Sequence, residues 1–154
     1  GLYVAKLTVN GQDYEQIFMI EDDPRVEIEI EDRADWTATV FEIADLYETI
    51  LADMKPVKMV HWQLENIKNT SRLDEDAVAE IKELDRMYSE LLNRSRRLYR
   101  AASGWMGKLT ADQNAQMEYY REMVKTLAPR RDAMLEMIPK LNRKLDKENR
   151  IEVK

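Results

Sequence analysis

Cysteine is absent from this 154-residue chain, which excludes disulfides, thiolate metal sites and cysteine nucleophiles. Glycine and proline are scarce, at 4 each, so the composition favours helix and a packed core over disorder. Positive charge is in deficit: the net charge is -6, which argues against nucleic acid as a partner because phosphate binding needs a basic surface. No apolar run approaches the roughly 18 residues that read as a membrane span, so no membrane is expected as a partner. The opening residues do not read as a signal peptide, and any targeting signal is expected in sequence upstream of Gly1. There is a single histidine, and neither His-Glu-x-x-His, Glu-x-x-His nor an EF-hand loop occurs, so no metal site and no cofactor is expected.

What is present is enough for one domain with a real core, with 44% apolar and 35% charged residues. Residues 2–9 and 12–20 are rich in β-formers around Asn10-Gly11, a strong hairpin signal because a type I′ turn needs positive φ at both positions. Counting outward pairs Leu7 with Tyr14, Lys6 with Glu15, Val4 with Ile17 and Tyr3 with Phe18. Both faces carry apolar side chains: Tyr3, Leu7 and Phe18 on one, Val4, Ile17 and Met19 on the other. An isolated hairpin is marginal in water, so it is expected to dock one face on the helices or to pair with other strands. Val26, Ile28 and Ile30 then alternate with glutamates, as in a short third strand or an extended linker with one apolar face.

Beyond Asp32 or Asp35, either a suitable N-cap, the period changes from two to seven. Trp36, Val40, Ile43, Tyr47, Ile50, Met54, Val57, His61 and Leu64 form one seam, in phase across Pro56, which predicts a single kinked helix. Ser71 or Asp74 can cap a second helix with the seam Ala77, Ile81, Leu84, Tyr88, Leu91, Ser95, Leu98 and Ala102. Thr110-Ala111-Asp112-Gln113 is a capping box. After it run Met117, Tyr120, Val124, Leu127, Arg131, Met134, Ile138, Leu141 and Leu145, interrupted by Pro129 and Pro139, with Pro139 alternatively starting a final short helix. Short loops make successive helices antiparallel. The expected fold is mainly α: an up-down-up three-helix bundle over residues 32–154, preceded by a β-hairpin and linker over 1–31.

Chemistry-bearing residues are few. His61, with Glu65 one turn later, supplies at most half a metal site and reads as a structural histidine. The methionines on the seams read as core filling. Arg94, Arg96, Arg97 and Arg100 crowd the end of the second helix, where cations complement the helix dipole; they read as a solvated helix end or as a grip for phosphate or an acidic glycan. Trp105 and Met106 lie in a loop between Gly104 and Gly107, as an exposed anchor or tucked against the bundle end. Trp36 is expected in the core and Trp62 over the bend near Pro56. The weak binding candidates are therefore Trp105, Met106, Arg94, Arg97 and Arg100, and no nucleophile, base and oxyanion set is apparent.

The run from Gly1 to Gln12 (Gly-Leu-Tyr-Val-Ala-Lys-Leu-Thr-Val-Asn-Gly-Gln) with Tyr14, followed by Asp23-Pro24-Arg25-Val26, resembles a stretch near the C-terminus of bacterial sortilin-like or BNR-repeat β-propeller proteins, often labelled glycosyl hydrolases. Pro139-Lys140-Leu141-Asn142 is similar to a piece of their helical tail. The resemblance implies that the hairpin is the remnant of a β-sandwich and that the parent is secreted or periplasmic, with a propeller upstream. It carries over no catalytic residue, because no propeller blade is present. Gly1 leading directly into strand-like sequence reads as a boundary within a longer protein. The expected role is a non-catalytic structural or interaction module whose partner is the upstream domain of the same polypeptide, or a second copy joined through the hairpin. The alternative is an independent protein- or glycan-binding module.

Overall fold

The computed structural model describes residues 1–21, 23–25, 28–67, 73–145 and 150–153. Strands β1 (Leu2–Val9) and β2 (Gln12–Met19) precede three helices, α1 (Ile30–Asn66), α2 (Glu75–Ser103) and α3 (Ala111–Asn142). The hairpin register is the one read from the turn outward, Leu7 opposite Tyr14 and Tyr3 opposite Phe18. Asn10 and Gly11 both have positive φ, 51° and 79°, as a type I′ turn requires. Lys6 lies opposite Glu15 but reaches diagonally to Asp13, at 2.7 Å, where Thr8 also donates to the same carboxylate. The lysine stem is long enough to choose the carboxylate nearer the turn.

The expectation that the hairpin docks one face on the helices is not met. Every residue of both strands is exposed, with Leu2 at 69%, Leu7 at 63% and Ile17 at 62%. Only the stacked Tyr3 and Phe18 rings shield one another, 6.0 Å between centroids. No strand forms at Ile28–Ile30 either: Glu29 is the N-cap and Ile30 already begins α1, leaving Asp32 in the first turn and not at the cap. Acidic side chains at that position still act on the helix dipole. Val26 and Glu27 lie outside the described residues.

The helices follow the up-down-up course. Trp36 meets Ala102, Met54 meets Ser89 and His61 meets Asp85, so α1 and α2 run antiparallel. Arg130 meets Glu80 across α2 and α3, while Glu42 pairs with Arg121 and Asp53 with Arg131, so α1 and α3 run parallel. α1 continues through Pro56 and α3 through both Pro129 and Pro139, so neither of the latter breaks the helix and Pro139 starts no new one. In each case helical packing on both sides outweighs the single backbone hydrogen bond a proline forfeits. Asp74 caps α2 through the amide of Asp76, and the Thr110–Gln113 capping box opens α3 in both directions. The Ser71 alternative and the turn at 69–72 fall outside the described residues.

The buried stripe of α2 is Ala77, Ile81, Leu84, Tyr88, Leu91, Ser95, Leu98 and Ala102, the full seam read from the sequence. In α1 the buried set includes Leu46 and Val60, while Tyr47 and His61 sit at its margin. A helix touching two neighbours buries a wider face than a two-residue heptad seam describes. If the hairpin and bundle are separate contributors to stability, Leu84→Ala in the fully enclosed core will cost about 2–5 kcal/mol. Leu7→Ala on the exposed hairpin will stay within about 0.5 kcal/mol, and urea melts followed by helical circular dichroism measure both.

Candidate functional site

The arginine-rich end of α2 is divided by helix geometry. Arg94 and Arg97, three residues apart, line one side of an open groove of ≈ 620 Å³ between α2 and α3, together with Glu90, Asp112, Gln116, Tyr119 and Tyr120. Arg96 and Arg100, four apart, lie on another face with Tyr47, Glu48 and Tyr99. The groove is not a uniformly cationic grip. Arg94 is held by Glu90, Gln116 donates to Asp112 at 2.6 Å, and Tyr120 donates to Gln116 at 3.3 Å. Arg97 and Arg100 make no ion pair among the described residues. Burial raises the pKa of the Tyr120 hydroxyl, opposed by the positive charges of Arg94 and Arg97.

Trp105 is 80% exposed, which overturns the reading that it tucks against the bundle end. It occupies the loop after α2, and Met106 lines a shallow hollow with Ile28, Glu29, Asp32 and Gly107. Lys108 anchors the loop to Asp32 at 2.8 Å. The loop therefore sits at the end of the bundle from which the hairpin departs, apart from the groove of Arg94 and Arg97. Trp36 is half-buried, its indole nitrogen donating to the Ala102 carbonyl at 2.8 Å, one of the carbonyls left free at a helix end. Trp62 is 64% exposed and shares a hollow with Met59, Gln63, Arg150 and Glu152, so it does not cover Pro56.

His61 is fixed from both sides. Its Nδ1 donates to Asp85 Oδ2 at 2.7 Å and its Nε2 faces Glu65 at 3.4 Å. The two carboxylates lie against opposite ring nitrogens and cannot chelate one ion together. Among the described residues no group of three or more metal-ligating side chains comes together.

Sequence reasoning passed over two polar arrangements. Arg131, on the α3 seam, pairs with Asp53 of α1 and with Asp132 at 2.8 Å. Beside them Tyr88 is fully buried, and its hydroxyl lies near the Asp53 carboxylate without forming a hydrogen bond of good geometry. Burial first, and then the neighbouring Asp53 carboxylate, push its pKa well up. A charged residue on an otherwise apolar seam was the available signal, since a buried cation demands a partner. The second arrangement is a pair of carboxamides, Gln63 on α1 and Asn142 on α3, that hold the backbone of residues 151 and 152. Nothing local in the sequence marks it.

Comparison with protein-family models, curated proteins and solved structures finds no match for this chain. The class defined by its own features is a three-helix bundle with an appended, uncovered β-hairpin. No helix among the described residues is long and apolar enough to cross a membrane.

Two outcomes follow from this geometry. Tyr88→Phe will be neutral or stabilising near pH 7, because it removes a buried polar atom that has lost water without gaining a hydrogen bond of good geometry. The raised folded pKa means that the folded chain keeps the Tyr88 proton longer than the unfolded chain, so stability is unaffected by its titration below the unfolded pKa of about 10 and falls as pH rises from there toward the folded value. Urea midpoints will therefore fall less steeply above about pH 10 in Tyr88→Phe than in the native chain. Thermal melts with and without EDTA will coincide, and a fall of more than a few degrees under chelator would show that a metal holds the fold.

Proposed function

We propose that this chain is a non-catalytic structural and interaction module whose hairpin is covered by a β-domain of the same polypeptide, upstream of the helices. The observation that carries this reading is the hairpin itself: two strands of 8 residues each, every residue exposed, with apolar side chains on both faces. A monomer rarely leaves so large an apolar surface and two open strand edges in water. The face bearing Tyr3, Ala5, Leu7, Val9, Tyr14 and Phe18 is mainly apolar from one end to the other, with Gln12 and Gln16 its polar members. The other face is apolar only near the open end, at Leu2, Val4, Ile17 and Met19, and polar toward the turn at Lys6, Thr8, Asp13 and Glu15. That pattern suits the edge of a β-sandwich, one face in the core and the turn protruding. The likeness of residues 1–26 to the end of the β-region in sortilin-like and BNR-repeat proteins agrees with it, and with a secreted propeller-type parent of the glycosyl hydrolase-labelled kind.

A second reading, an independent protein- or glycan-binding module, is favoured by one observation, the exposure of Trp105 beside Met106. Exposed tryptophans are frequent interface anchors. A glycan array or pull-down in which Trp105→Ala loses the captured ligand would support it.

Hydrogen exchange separates the readings. In this chain amides 2–20 are expected to exchange rapidly beyond the cross-strand bonds. In the longer polypeptide they are expected to be protected, and Phe18→Ser is expected to remove the protection without lowering the melting temperature of the bundle. Slow exchange in the monomeric chain, unchanged by the upstream sequence, would defeat the proposal. Protection that grows with chain concentration would assign the surface to a second copy.

A further inference from the structure

At the far end of α1 from the hairpin, beyond α3, residues 150–153 return to the bundle. The N–H of Ile151 donates to Asn142 Oδ1 at 2.7 Å and its carbonyl accepts from Asn142 Nδ2 at 2.9 Å. The N–H of Glu152 donates to Gln63 Oε1 at 2.8 Å and its carbonyl accepts from Gln63 Nε2 at 2.7 Å. Each carboxamide thus closes a two-bond ring with one residue, as a neighbouring strand would, and consecutive residues are held from opposite sides. That alternation is the backbone geometry of a single β-like strand. The Ile151 side chain is the anchor, 3% exposed and part of the hydrophobic core, whereas Arg150, Glu152 and Val153 are exposed.

We propose that the cleft between the C-terminal ends of α1 and α3 is a binding site for an extended peptide bearing one aliphatic residue, with Arg150–Val153 as its resident ligand in cis. Gln63 and Asn142 read only backbone atoms, so they supply affinity without demanding a sequence, and the Ile151 position supplies the selectivity. This is the division of labour in strand-type peptide recognition. Among the described residues the resident segment is held by one buried side chain and four hydrogen bonds, against the entropy of ordering its backbone, so it is poised to exchange. Trp62, exposed and sharing a hollow with Met59, Gln63, Arg150 and Glu152, extends the site with an aromatic surface for a longer ligand. The order Arg-aliphatic-Glu-aliphatic of Arg150-Ile151-Glu152-Val153 recurs at Arg25-Val26-Glu27-Ile28, so the chain carries a second segment of the same chemistry.

The test uses the full chain and a fluorescein-labelled synthetic peptide, Ala-Arg-Ile-Glu-Val-Lys, followed by anisotropy. Native protein is expected to bind it weakly, because the cis segment competes. Ile151→Asp is expected to empty the cleft and raise affinity by at least about tenfold. Adding Gln63→Ala or Asn142→Ala to that variant is expected to reverse the gain, and a peptide with Asp in place of Ile is expected not to bind. Glu152→Pro provides a second variant that deletes one bond to Gln63 and leaves the core side chain in place, should Ile151→Asp perturb folding by circular dichroism. If neither variant gains affinity over the native chain, the segment is a fixed part of the core and the proposal falls. A gain that survives Gln63→Ala and Asn142→Ala would overturn it equally, by placing the peptide elsewhere.

Discussion

The bundle depends on the burial of one face of α2 between α1 and α3. Ile81, Leu84 and Tyr88 are wholly enclosed, and Leu91 and Leu98 nearly so. Each helix by itself is a long amphipathic rod whose stability in water comes from packing and not from propensity. Because α2 turns an unbroken apolar stripe inward over its whole length, α1 and α3 are drawn against it along their full extent. That packing is what lets three prolines sit inside long helices without ending them. Close packing leaves the neighbouring turns nowhere else to go, and the lost backbone bonds are local defects in a cooperative contact.

Polar groups inside this packing settle register. An apolar stripe alone permits helices to slide by a heptad, since one leucine replaces another. Arg131 on Asp53, Arg130 on Glu80 at 2.8 Å, and His61 on Asp85 at 2.7 Å each tie one turn of one helix to one turn of another. Partly buried pairs of this kind add little net stability, because the attraction is set against the cost of taking both charges out of water. Their value lies in making wrong registers costly, because a slipped helix would strand a half-buried charge. The unsatisfied oxygens at Asp85 Oδ1 and Tyr88 Oη show where that arrangement carries a residual cost.

The hairpin belongs to a different balance. Its sixteen strand residues contribute nothing to the core, so its persistence rests on the type I′ turn, the Tyr3–Phe18 stack and the cross-strand hydrogen bonds. The chain thus joins a bundle with its own complete core to a β-element that has apolar surface left over. The two ends of the bundle contrast in the same way. At one, Trp105 and the hairpin face solvent; at the other, Ile151 is drawn in and clasped by Gln63 and Asn142.

Much of the fold was legible in residue order because it follows from periodicity. The period-two hairpin with Asn10-Gly11 determines its own register, and the α2 seam determines which side chains are buried, since both are consequences of local backbone geometry. What periodicity cannot express is how many neighbours a helix has, so Leu46 and Val60 were missed as core while Tyr47, on the seam, lies only at its margin. Nor can it decide whether an apolar residue has anything to pack against. Trp62, Trp105 and the apolar residues of the hairpin are exposed, because burial needs a second surface and only the three-dimensional arrangement supplies or withholds one. The candidate sites divide on the same line. The arginines were visible as a cluster, but helix rotation sends Arg94 and Arg97 to one face and Arg96 and Arg100 to another. The carboxamide clasp joins residues 89 and 9 positions apart in the chain, and no local pattern can announce a contact made only when α1, α3 and the returning segment meet.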